Sequence, residues 1–137
     1  MTYQREAADF WKRALETLID AERAYSTNGM ASRAYYCAFY AVCALLALEG
    51  VEFKKHQAVE QAVHRDLVHT KRWPEELGAE YSDLFKFRLK GDYGGSIWVT
   101  TDEARQAVEY ARRILKAVHE AQPDIFPLDT RAEDKSD

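Results

Sequence analysis

Arginine on the apolar side of a helix is the first chemical signal in this chain. Arg33 lies in the run Met30 to Leu48, MASRAYYCAFYAVCALLAL, and Arg88 ends the stripe Leu77, Tyr81, Leu84, Arg88, whose members fall within about 60° of one another on a helical wheel. A guanidinium on such a face is costly unless it is paired or lines a solvated cleft. Arg88 could pair with Asp92 across the end of its helix, and Arg33 with a carboxylate from a neighbouring helix, purely as structure. The functional alternative is a phosphate-binding groove, for which planar, permanently charged guanidinium groups are well suited. His56 opens the stripe His56, Val59, Val63, Leu67, a setting that favours a capping or core histidine over a catalytic one. Trp98 stands among turn residues. It could stack on a base, although a ring folded back onto the protein is the expected fate.

Other chemistries find no footing. His64 and His69 are about 140° apart round their helix and do not form a metal pair, and no HExxH, P-loop, GxGxxG or CxxC spacing occurs. Arg112 and Arg113 precede His119 within one helix, but a spacing so loose reads as coincidence. The two cysteines, Cys37 and Cys43, point about 120° apart from one helix, as buried free thiols of a reducing cytosol would. No metal or cofactor is expected. The net charge of −4 gives no overall field favouring polyanions, so any nucleic-acid contact must come from a local basic cleft.

These residues need a scaffold, and helical periodicity supplies it. At 137 residues, 47% hydrophobic and 31% charged, the chain is one globular domain with enough apolar material for a real core. Residues 3 to 25 put Trp11, Ala14, Leu15, Leu18, Ile19 and Tyr25 in one sector, the mark of an amphipathic first helix. Ser26-Thr27-Asn28-Gly29 is turn chemistry, short enough to make the second helix an antiparallel neighbour. That second helix, Met30 to Leu48, is apolar all round and approaches the roughly 20 residues that span a bilayer. Ser32, Arg33 and the tyrosines at 35, 36 and 40 make it a poor insertion segment, so it is expected at the centre of the core.

A third helix is predicted from about Lys55 to His69. A fourth starts after Pro74, with Glu75 and Glu76 in its first turn, and stops at Gly91. Thr100 and Glu103 have capping-box spacing before a fifth helix, with Ala104, Ala107, Val108, Ala111, Leu115 and Val118 inside, ending near Gln122. The predicted architecture is all-α, a five-helix up-and-down antiparallel bundle over 1–122, with an acidic, loosely ordered tail at 123–137. The charged N-terminus lacks an export signal, so the expected location is cytoplasmic, away from membranes.

Taken together, ASRAYYCAFYAVCALLALEG, KKH at Lys54 to His56 and RLKGDY at Arg88 to Tyr93 resemble the HEPN family. The nearest branch is the small stand-alone prokaryotic one, with an S-R-A-Y-Y core helix followed by an R-x-x-x-D-Y segment. The resemblance runs from about Tyr3 to Val118. It implies a five-helix bundle, a homodimer, and a nucleotidyltransferase partner in a toxin–antitoxin pair. In active members an R-x(4–6)-H motif at the end of the fourth helix cleaves RNA without metal. Arginine there would hold the scissile phosphate and histidine would handle the proton of the 2′-hydroxyl.

Arg88 matches that arginine. Asp92 and Tyr93 stand where the histidine should be, and neither an exposed aspartate nor a tyrosine is a good base at neutral pH. Tyr93 is instead the residue that a nucleotidyltransferase partner would modify. The resemblance therefore points to Arg88, Asp92 and Tyr93 as the reacting set, with Arg33, Tyr36, His56 and Lys90 contacting RNA or a nucleotide in a dimer groove. The rival expectation is a non-catalytic interaction module in which Arg88 and Asp92 only fix the loop.

Overall fold

The apolar second helix does sit at the centre. In the computed structural model, residues 2–52, 55–93 and 98–128 are described, and among them the chain is all-helical: α1 (Thr2–Glu22), α2 (Thr27–Leu48), α3 (His56–Ala62), a π-helical turn (Val63–Val68), α4 (Glu75–Tyr93) and α5 (Thr101–Ala121). α2 has the length and hydropathy of a membrane span, yet 67% of its most apolar stretch lies inside the bundle. Ala31, Ala34, Tyr35, Cys37, Ala38 and the whole run Ala41–Ala47 are buried in it. The many alanines let neighbouring helices approach closely, and α1, α4 and α5 all pack against it. Both thiols are buried, which pushes Cys37 up and Cys43 up to about 12, so neither ionises near neutrality.

Contacts along α2 give the helix directions. Tyr3 meets Gly50 and Phe10 stacks near Tyr40, so α1 runs antiparallel to α2. Gly91 meets Asn28 and Arg88 meets Tyr36, so α4 is antiparallel as well. α5 starts beside the start of α2: Thr27 Oγ1 donates to the Val99 carbonyl at 2.5 Å, and Val99 N–H donates to Asn28 Oδ1 at 2.8 Å. Both backbone groups of the residue leading into α5 are thus satisfied by side chains of the first turn of α2.

Several expected boundaries move, each for a local reason. α1 ends at Glu22, leaving Tyr25 fully exposed rather than in the apolar sector. The predicted turn at 26–29 becomes an N-cap and first turn, because the Ser26 hydroxyl accepts the Gly29 N–H at 2.9 Å. Gly91 does not stop α4. The helix passes through it to Tyr93, and a Cβ at 91 would lie 3.3 Å from the Asn28 carbonyl oxygen, so this glycine serves close helix approach and not chain reversal. The third helix changes to a π-turn at Val63, which keeps Val63 and Leu67 fully buried while His64 Nε2 reaches Ser82 Oγ on α4 at 2.8 Å.

The predicted capping box forms: Thr100 Oγ1 accepts Glu103 N–H at 3.0 Å, and the Glu103 carboxylate accepts Thr100 N–H at 2.9 Å. The inner stripe of α5 is buried as expected, with Ile114 added to it. The segment after Pro123 departs from expectation. Residues 123–128 fold back onto α1 and α5, with Phe126 fully buried, its ring 5.3 Å from that of Trp11, and Trp11 Nε1 donating to the Pro127 carbonyl at 2.7 Å. Its signal is two isolated apolar residues, Ile125 and Phe126, which show no periodicity. Residues 129–137 lie outside the described residues. Trp98 also departs from expectation, being 63% exposed rather than folded back.

Candidate functional site

α2 presents a row of aromatic rings to α3 and α4, and the cations gather on them. Arg88 enters from the last turns of α4, with its guanidinium carbon 5.4 Å from the centre of the Tyr36 ring and 5.8 Å from that of Tyr35. Its Nη2 donates to the Tyr36 hydroxyl at 3.1 Å, and its Nε lies 2.9 Å from Asp92 Oδ2. The ion pair spans one helical turn, with 14% of the arginine side chain and 32% of the aspartate side chain exposed. The pairing foreseen as the structural reading of Arg88 is therefore present. Arg33 sits over the same Tyr36 ring at 5.0 Å, so a ring face holds it instead of the expected carboxylate from a neighbouring helix.

His56 joins this cluster from the first residue of α3. Its Nδ1 is 2.8 Å from the Tyr35 hydroxyl. Its ring lies 4.4 Å from Phe39, 5.6 Å from both Tyr35 and Tyr36, and 6.4 Å from Phe85. Burial first, and the nearby Arg88 charge second, lower its pKa below the usual histidine value, so the ring is neutral at pH 7. Tyr35 and Tyr81, buried beneath it, have phenol pKa values raised mainly by burial and stay protonated. The imidazole is half-buried and its second nitrogen, Nε2, makes no hydrogen bond among the described residues.

Of the seven residues singled out by sequence, Arg33, Tyr36, His56, Arg88 and Asp92 come together. Lys90 does not. Two residues beyond Arg88 it lies on a different side of α4, and its Nζ binds Glu103 of α5 at 2.9 Å. Tyr93 ends α4, and its side chain lies outside the described residues. Sequence reasoning missed Tyr35 and Phe39, which a helical wheel places away from Arg33. His56 straddles the ridge between the two sets, and only the packing of α3 across α2 reveals it.

The loosely spaced Arg112, Arg113 and His119 are not assembled. Arg112 pairs with Glu22 and Glu109, Arg113 with Glu80, and His119 Nδ1 with the Phe126 carbonyl. Among the described residues no three histidine, cysteine or carboxylate side chains cluster as metal ligands would. The central site can hold an anion on Arg88, offer ring faces to a base or sugar, and accept a proton on an imidazole nitrogen.

Comparison with known proteins agrees with this architecture. A family model described as the HEPN domain matches residues 7–121, which takes in α2, α3, α4 and α5 whole and α1 from its second turn onward. A "UPF0332 protein" of Thermotoga maritima is 32% identical over 129 residues, covering 91% of this chain and 98% of that one. A protein of Methanocaldococcus jannaschii named "Putative toxin MJ0142" is 28% identical over 107 residues, covering 76% of this chain and 73% of its own length. A match over most of the helical bundle, together with a relative aligned from end to end, places this chain in the HEPN family.

Proposed function

We propose that this protein is the toxin-type member of a two-component system, and that it binds RNA through the cluster of Arg88, Tyr36, Arg33 and His56. One observation carries the reading: a largely enclosed guanidinium and a neutral, half-buried imidazole lie against the same pair of tyrosine rings. A phosphodiester would compete with Asp92 for Arg88, and a third of that carboxylate is already open to solvent. The exposed edges of the aromatic row suit a sugar or a base. The name of the Methanocaldococcus relative supports the toxin assignment. A cytoplasmic homodimer and a nucleotidyltransferase partner, with Tyr93 as the modified residue, complete the proposal.

The second reading, a non-catalytic interaction module, is favoured by the Arg88–Asp92 pair itself, since that pair closes within one chain. Binding of labelled single-stranded RNA by the purified protein, with its mass checked by light scattering, separates the two. Arg88→Ala is expected to weaken RNA binding about tenfold or more, the worth of one charge-assisted contact, and by more than it lowers thermal stability. Equal affinity of variant and wild type would leave only the interaction module. A 15.8 kDa particle would refute the homodimer.

A further inference from the structure

We propose that His56, from the start of α3, supplies the proton-accepting nitrogen for RNA cleavage at this site, in place of a histidine on α4. The inference rests on the RNA-binding reading above and adds a reaction and a residue to it. Three features of the structure support it.

The first is placement. His56 and Arg88 come from different helices yet share the rings of Tyr35 and Tyr36, so a phosphate held on Arg88 lies beside the imidazole. The second is orientation. Tyr35 engages Nδ1 at 2.8 Å, and Phe39 stacks against the ring at 4.4 Å, which together leave Nε2 as the working nitrogen. In the tautomer with Nδ1 protonated, that N–H donates to the Tyr35 oxygen both before and after Nε2 takes up a proton, so the ring need not turn during the reaction. Tyr35 is a positioning residue in this scheme. The third is protonation state. Among the described residues, the titratable and charged groups acting on His56 from the packed elements are Tyr35 and Tyr36 of α2 and Arg88 of α4. Burial and the arginine both favour the neutral ring, the form that accepts a proton.

The reaction balances without a co-reactant other than water. Nε2 takes the proton of the 2′-hydroxyl, and the 2′-oxygen forms a bond to the adjacent phosphorus while Arg88 neutralises the non-bridging oxygens. The bond from phosphorus to the 5′-oxygen breaks, and that oxygen leaves with its electron pair and takes a proton from water. The imidazolium then returns its proton to the resulting hydroxide. The products are a 2′,3′-cyclic phosphate and a 5′-hydroxyl.

The test measures binding and cleavage of a random-sequence RNA pool by wild type, His56→Ala, His56→Gln and Arg88→Ala. Both His56 variants are expected to cut at least about a hundredfold more slowly, the usual worth of a positioned base, a loss well beyond whatever RNA affinity they give up in the parallel binding measurement. Added imidazole should restore cleavage to His56→Ala, and 2′-O-methyl RNA should be bound and left intact. The rising acid limb of the wild-type pH–rate profile should disappear in His56→Gln. RNA that is bound in an Arg88-dependent way but stays intact, or is cut equally well by the His56 variants, overturns the proposal and leaves the binding site standing. Binding that is indifferent to Arg88 overturns both.

Discussion

Two regions of this molecule each bring an arginine and a histidine into play, and they use them differently. On the face formed by α2, α3 and α4, Arg88 and His56 come from separate helices and meet over shared aromatic rings. Arg113 and His119 lie close in sequence on α5, yet each is engaged elsewhere: Arg113 by Glu80 of α4, His119 by the carbonyl of Phe126 in the terminal segment. Spacing along the chain is therefore a poor guide to chemistry within a helix. Groups separated by a non-integral number of turns face different neighbours, whereas groups distant in sequence can share a surface once helices cross.

The second region is built for stability. Phe126 fills a fully enclosed position against Trp11, and the Trp11 indole and the His119 ring each hold a carbonyl of the terminal segment. An apolar groove of about 740 Å³ runs between α1 and this segment, lined in part by Leu15, Leu18, Ile19 and Leu128. The first region carries the molecule's concentration of ring faces and cations. If this division is right, substitutions in one region should change stability alone, and those in the other should change RNA binding or cleavage.

The largest expected effect is Phe126→Ala. It should lower unfolding free energy by about 3 kcal/mol, the low end for a core phenylalanine because the terminal segment can undock by itself, and leave RNA affinity unchanged in a parallel binding assay. A fall in affinity would show the two regions to be coupled. His119→Ala should cost about 1 kcal/mol, one hydrogen bond's worth, as read from the urea midpoint, with cleavage as in wild type. Slower cleavage by this variant would move the active histidine from α3 to α5.

The smallest effect is a pH slope. The folded pKa of His56 lies below its unfolded value of about 6.5. Above that value neither state binds the proton, and stability is flat with respect to this group. As pH falls from there towards the lowered folded value, the unfolded chain takes up the proton first, and stability is lost. Urea midpoints of wild type and His56→Gln should therefore run parallel above about pH 7 and converge or cross below about pH 6. Parallel curves across the whole range would show that His56 is not held neutral by its surroundings.

Much of the fold was legible in advance. The apolar run at 30–48 demanded enclosure on every side, and the stripe on α5 together with the Thr100–Glu103 capping box marked a surface helix with one buried face. These are local properties, repeated every turn, and they survive any rearrangement of neighbours. Boundaries were less legible. Gly91 has the look of a stop signal, yet the nearness of Asn28 explains a glycine there equally well. Ile125 and Phe126 carry no periodic pattern, and the burial of Phe126 becomes visible only when Trp11 is brought to it across the length of the chain.

The site divides in the same way. Sequence by itself determined that Arg33 and Arg88 stand on helical faces where a cation requires a reason to be, because helix geometry and the cost of burying charge are independent of topology. Only the tertiary structure decided what that reason is. Rings of α2 receive Arg33 and Arg88, Tyr35 and Phe39 orient His56, and Lys90 is drawn away to α5. Which side chains meet is fixed by how helices cross and which elements lie against α2. Those are long-range packing outcomes that no window of neighbouring residues contains.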